Sequence, residues 1–249
     1  MIKAQHSPLW RKMLGWYFSR SVRKTFHACR VKGQSHLKQW RMDGKHAGPD
    51  IPLIVYCSHG GWWDAGLAIA LTNAHFGIES YGMMEEKQLK KYQFFTKIGM
   101  FSVHRSNPRS AVKSLNHAVD LLRNTRKVLW MFPQGELVHQ ELRPIQAFSG
   151  ISNLVEMLGE AWCVPVAIRY DFLLEQQPEA WVSIGEPELL KAEMFETKQS
   201  ITTHIAERLT SLMDEVRDEI IHNRHEGYKT VLRGKTSVEK KWDAVRGME

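Results

Sequence analysis

A chain of 249 residues with 43% apolar and 24% charged side chains is long enough to bury a substantial core, and its composition is that of a globular protein. Its three cysteines, Cys29, Cys57 and Cys163, are odd in number, widely spaced and without a Cys-x-x-Cys pair, which excludes a disulfide framework and a zinc module and suits a reducing compartment. The formal charge of +7 is concentrated in residues 1–48, where eleven Lys or Arg face the acid Asp43, so the rest of the chain is slightly acidic and no nucleic-acid partner is expected.

In chain order, Trp10, Met13, Leu14, Tyr17, Phe18, Val22 and Phe26 recur at steps of three and four, which predicts an amphipathic helix over 8–26. Arg11, Lys12, Arg20, Arg23 and Lys24 lie largely off that stripe. A basic helix with aromatic residues on its apolar side suits the headgroup layer of an anionic bilayer. The same pattern fits a helix packed on its own domain with a solvated charged face. The Met1 region has no apolar core followed by a small-residue cleavage site, and no apolar run approaches about 18 residues. Neither a signal peptide nor a spanning helix is expected, and a membrane partner would be met from the cytoplasmic face, peripherally or monotopically.

A short strand near 28–31 and a glycine- and proline-bearing connection over 33–50 lead to the apolar run 51–57, a buried strand. Ser58-His59-Gly60-Gly61-Trp62-Trp63-Asp64 follows as a turn opening a helix over about 64–75. A strand near 79–83, a helix over 85–97, a strand ending at His104-Arg105, a helix over 110–123 and a strand at 128–132 come next. The last of these runs into Pro133-Gln134-Gly135-Glu136. Beyond it the pattern gives a helix over 150–159, strands over 162–170 and 180–184, a long amphipathic helix over 198–221 and a polar tail from 223. Strands alternating with helices predict an α/β fold, a mixed and largely parallel sheet covered by helices on both faces. The expected division is an arm and linker over 1–48, a domain over 49–222 and a tail over 223–249.

The turn after the first buried strand holds the residues best suited to proton chemistry. Five residues of regular helix would put His59 and Asp64 on different faces, so the two meet only if Gly60 and Gly61 bend the chain between them. A carboxylate that holds one imidazole nitrogen fixes the tautomer and leaves the other nitrogen to accept a proton. Asp64 as a plain helix cap is the simpler alternative. Cys57 sits two residues before His59 and would share its strand face, so a Cys–His nucleophile is a further alternative, although Cys57 also fits a buried strand as a small residue.

His59-x4-Asp64, then Gly99-Met100-Phe101-Ser102-Val103-His104-Arg105, then Phe132-Pro133-Gln134-Gly135, then Val164-Pro165-Val166 resemble the four ordered blocks of the glycerolipid acyltransferases of the PlsC or lysophosphatidate acyltransferase type. The resemblance covers roughly residues 30–190. It implies an α/β acyltransferase domain, an N-terminal element that docks on the membrane, and transfer of a fatty acyl group from acyl-CoA or acyl-carrier protein to a lipid hydroxyl, with no other cofactor and no metal. His59 would be the base and Asp64 its orienter. Backbone N–H groups at Gly60, Gly61 or Gly135 would meet the oxyanion. Arg105 would bind phosphate with its planar fork, and Phe132, Pro133, Gln134, Gly135 and Glu136 would shape the acceptor site. Gln134 stands where the family usually has glutamate, Glu136 where it has threonine and Leu137 where arginine is common. Those departures make the pocket less welcoming to a phosphate dianion unless Arg105, Arg109 or Arg143 compensates. A lysophospholipid-type acceptor is the first expectation and a glycosylated or other non-phosphate lipid alcohol the second. A thioesterase or lipid hydrolase using the same base on water, and a non-catalytic membrane adaptor, are the rivals.

Overall fold

The computed structural model describes residues 1–37, 50–104 and 107–236. Helix α1 (Pro8–Thr25) leads through a corner into strand β1 (Ala28–Lys32); after residues 38–49 the chain continues as β2 (Leu53–Cys57) and α2 (Trp63–Ala70). The helix then widens into a π-helical turn, Leu71–Phe76, closed by Gly77 at φ +64°. Strand β3 (Ser80–Glu85), helix α3 (Glu86–Lys91), a 3₁₀ turn (Gln93–Ile98) and β4 (Met100–Val103) follow. Next come α4 (Pro108–Leu122), β5 (Val128–Met131), α5 (Gly150–Leu158), β6 (Glu160–Asp171), β7 (Glu179–Ile184), β8 (Glu188–Lys191), α6 (Lys198–Ile221) and β9 (Lys229–Arg233).

The strands form one sheet in the order β4-β3-β5-β2-β6-β7-β1-β9, with β8 paired to β6. Strands β4, β3, β5, β2 and β6 run parallel, β7 turns back antiparallel on β6, β1 runs parallel to β7, and β9 is antiparallel to β1. All five residues of β2 are buried, as befits a central parallel strand covered on both sides. Side chains alternate across a strand, so β2 feeds two cores. Ile54 and Tyr56 join the core under α4, α5 and α6, where Leu122, Leu154 and Leu209 are fully buried. Leu53, Val55 and Cys57 join the core under α1 and α2, with Val22, Phe26 and Leu67.

Three sequence expectations change. Of the expected arm and tail, residues 1–37 and 223–236 are not apart from the domain, because β1 and β9 are both strands of its sheet; the rest of the two stretches, 38–48 and 237–249, lies outside the described residues. Edge strand β9 reads Lys-Thr-Val-Leu-Arg and buries only Leu232 deeply, so one apolar anchor among polar neighbours passes for a tail in the sequence. The apolar stripe of α1 faces the domain: Leu14, Val22 and Phe26 are buried and Phe18 packs beside them. Met13 and Tyr17 of the expected stripe instead face outward, in line with Leu9 and Trp16, the four being 44%, 54%, 73% and 63% exposed. The single helix expected over 85–97 is two short ones, broken at Tyr92 with φ −120° and ψ 61°.

Leu232→Ala tests whether β9 belongs to the cooperative unit. Removing this buried side chain is expected to lower the unfolding free energy by about 2–4 kcal/mol in urea denaturation, whereas a free tail would show no change.

Candidate active site

The site begins where β2 runs out. Ser58 still pairs with β6, its N–H donating to the Val166 carbonyl at 3.0 Å and its Oγ accepting from the Ile168 N–H at 2.9 Å. The chain then leaves the sheet at His59. The loop after β5 grips the His59 backbone from both sides: His59 N–H donates to Gln134 Oε1 at 2.7 Å, and the His59 carbonyl accepts from Val138 N–H at 2.9 Å. The imidazole lies nearly flat on Phe132, with centroids 4.2 Å apart and planes at 21°.

His59 Nδ1 and Asp64 Oδ2 are 3.0 Å apart. Asp64 is fully buried, so its charge has to be met inside the protein. Oδ2 also accepts from Gly61 N–H at 2.9 Å, and Oδ1 accepts from the Tyr170 hydroxyl at 2.5 Å. An ionised carboxylate only accepts, so the proton of this His–Asp bond sits on Nδ1 and Nε2 is left with its lone pair. His59 lines the adjoining groove.

Tyr170, the last residue but one of β6, was not singled out in the sequence. Its ring stacks on Phe26 at 5.5 Å and 24°, and a Cβ on Gly61 would stand 2.8 Å from its Cε2. Gly61 is therefore required by the close approach of the ring. Burial, and then the negative charge of Asp64, push the Tyr170 phenol well above its ordinary range, which keeps it protonated and donating.

The other residues expected at the site divide. Gly61 N–H is spent on Asp64 and Gly135 N–H on the Phe132 carbonyl at 3.0 Å, so neither serves as an oxyanion donor; Gly60 keeps that candidacy. Gly135 takes φ +69°, the left-handed bend that closes this turn. Gln134 is buried with its amide oxygen committed to the His59 backbone, so it holds the base in place instead of lining an acceptor site. Pro133 is buried and its carbonyl accepts from Phe148 N–H at 2.8 Å, while Glu136 and Leu137 are exposed. Arg105 lies outside the described residues. Arg143 is held by Asp214 at 2.8 Å and by two backbone carbonyls, and Arg109 is exposed on α4. Cys57 is fully buried, and burial together with the Asp64 charge pushes its thiol well above the ordinary range. A thiol that stays protonated is not a nucleophile, which removes the Cys–His alternative.

Beside His59 runs a groove of about 1020 Å³ between α1, α2 and the 3₁₀ turn, lined by Leu14, Tyr17, Trp63, Phe94 and Phe132 among others. Its walls are mostly apolar, and Lys91 is the lysine that reaches it; its size stands at the top of the range of about 300–1,000 Å³ seen for ligand pockets.

A family model described as Acyltransferase matches residues 28–169, more than half of the chain, a span that holds His59, Asp64 and Gln134 and stops one residue short of Tyr170. Among solved structures, the 1-acyl-sn-glycerophosphate (LPA) acyltransferase PlsC from Thermotoga maritima is similar, with a TM-score of 0.58 and 15% identity over 83% of this chain and 79% of that one. At that identity the likeness is one of fold. No curated protein matches the sequence.

Two outcomes are expected of the site itself. Tyr170→Phe keeps the ring and removes one donor from a buried charge, so the unfolding free energy should fall by about 1.5–3 kcal/mol in urea denaturation. Burial pushes Cys29 up to about 12 and Cys163 and Cys57 up as well. A disulfide-exchange reagent at pH 8 should therefore find no fast thiol in the native protein and all of them after denaturation, read by absorbance.

Proposed function

The chain belongs to the acyltransferase family, and we propose that it moves a fatty acyl group from acyl-CoA or acyl-carrier protein to the hydroxyl of a lysophospholipid-type acceptor, 1-acylglycerol-3-phosphate-like, with His59 as general base. The observation that carries this reading is an imidazole fixed through Nδ1 by a buried carboxylate at the side of a large apolar groove. The acceptor hydroxyl donates to Nε2 and its oxygen attacks the thioester carbonyl carbon. As the C–O bond forms, the proton passes to the imidazole, whose positive charge Asp64 offsets. The oxyanion turns towards the Gly60 N–H, the candidate donor left in the turn once His59 and Gly61 have spent theirs. When it collapses the C–S bond breaks, and the departing thiolate takes the proton back from Nε2. No acyl-enzyme forms, in keeping with the buried Cys57.

The groove supplies what long alkyl chains need, walls of Leu14, Phe18, Trp63 and Phe94 in place of water. Arg105, at the end of the block after β4, is the candidate phosphate ligand, with Lys91 a second cation at the groove. A second reading keeps the chemistry and changes the acceptor to a glycosylated or other non-phosphate lipid alcohol. It is favoured by the aromatic walls of the groove and by the exposed Glu136 and Leu137 in the loop that grips His59. The outward residues of α1, Leu9, Met13 and Trp16, with exposed Lys12, Arg20, Arg23 and Lys24, suit peripheral docking on the anionic cytoplasmic face of a membrane. No described helix is long and apolar enough to cross one.

His59→Ala should lower acyl transfer by about 10²–10⁴-fold with the far-ultraviolet spectrum unchanged, and Cys57→Ala should leave the rate within a few-fold. The assay offers labelled acyl-CoA with a panel of lyso-lipids, glycolipids and no acceptor. Transfer to glycolipids alone would displace the phosphate-bearing acceptor, and cleavage undiminished without acceptor would identify a hydrolase.

A further inference from the structure

The turn between β6 and β7 is built inside out. Phe172, Leu173 and Leu174 are 73%, 41% and 93% exposed, while the acid that follows them, Glu175, is only 8% exposed. In a turn that faces water the apolar residues fold inward and the carboxylate is solvated, so this arrangement suits an environment that is not water.

The turn is also fastened, so its outward face is not a loose loop. Glu175 lies 3.5 Å from His27 Nδ1, His27 N–H donates to the Pro178 carbonyl at 2.9 Å, and Gln177 Nε2 donates to the Lys24 carbonyl at 3.1 Å. All three contacts moor it to the corner where α1 ends. The last turns of α1 carry exposed Arg20, Arg23 and Lys24, and the helix contains no acid. The turn thus sets an apolar tip beside a basic strip. It also begins two residues after Tyr170, and a chain of rings links Tyr170 through Phe26 and Trp63 to Trp62, itself 73% exposed next to the His59 turn.

We propose that the β6–β7 turn is a lipid anchor: Phe172, Leu173 and Leu174 enter the boundary between headgroups and acyl chains of an anionic bilayer while Arg20, Arg23 and Lys24 meet the headgroups. Charge decides the occupant, since the cations beside the tip complement anionic lipid and the turn's own acid is withdrawn from that face. The anchor rests on the reading of a membrane-borne acceptor, and it adds a contact outside the α1 outer face. It fixes the rim of the site against the bilayer at Trp62, where a lipid hydroxyl would enter.

The test uses the full chain. The native cysteines are all buried, so a dye placed by Leu174→Cys labels one site. With vesicles containing phosphatidylglycerol the environment-sensitive emission should shift to the blue and be quenched by bilayer-embedded nitroxides, with much less change on neutral phosphatidylcholine vesicles. Phe172→Ser with Leu174→Ser should weaken co-sedimentation with anionic vesicles by about tenfold or more, and should spare transfer to a monomeric short-chain acceptor while slowing transfer to a vesicle-embedded one. Emission unmoved on vesicles that carry the protein down, failure to co-sediment at all, or a shift produced by added protein and not by lipid would overturn the anchor. A blue shift in a protein that transfers no acyl group would leave the anchor standing and sink the acyl-transfer reading instead.

Discussion

A carboxylate with no access to water has to find its hydrogen bonds within the protein, and the site is arranged around meeting that demand at Asp64. The three donors that meet it come from different places: the imidazole of His59, the backbone of Gly61 within the same turn, and the Tyr170 hydroxyl at the far end of β6. Each constrains something else. Gly61 must lack a side chain because the Tyr170 ring lies against it, and the ring is in turn stacked on Phe26 from the end of α1. The tautomer of the base follows from this set, because an acceptor-only carboxylate at Nδ1 assigns the lone pair to Nε2.

That arrangement depends on the sheet. Strands β2 and β6 are parallel neighbours, with Cys57 opposite Val166, and β6 runs on past the end of β2, which carries Tyr170 to the turn that holds His59 and Asp64. Strand β5 flanks β2 on the other side and delivers Phe132 and Gln134 to the same place. Three buried strands therefore bring His59, the tyrosine partner of Asp64 and the clamp on the His59 backbone together without any of them being near in sequence. The helices α1 and α2 that cover this face of the sheet leave the apolar groove between them.

The pairing of His59 with Asp64 was legible in the sequence because it is local: two glycines in a short span dictate a bend, and the bend dictates the contact. The unbroken apolar run of β2 and the periodic stripe of α6 were legible for the same reason, being patterns of near neighbours in the chain. Tyr170 was not, because it bonds Asp64 across 106 residues of chain and only the strand order makes them neighbours. Gln134 looked like a ligand for substrate because a polar side chain in a turn gives no sign of which way it faces, and here it turns in to the His59 backbone. The glycine N–H groups show the same gap, since their availability is decided by partners that residue type does not reveal. Helix α1 showed its stripe only in part, since Leu14, Val22 and Phe26 pack on the domain while Met13 and Tyr17 are exposed, and β9 hid because an edge strand needs only Leu232 to hold it.

The clamp on His59 has a consequence for how this scaffold can diversify. Gln134 and Val138 hold the base from either side, and the residues between them, Glu136 and Leu137, stand in the solvent. Substitution at positions 136 and 137 therefore leaves the clamp intact, provided the two flanking positions keep their grip. Insertions or deletions inside this span would instead displace the His59 backbone itself. The loop is open to revision by substitution and closed to revision by changes of length.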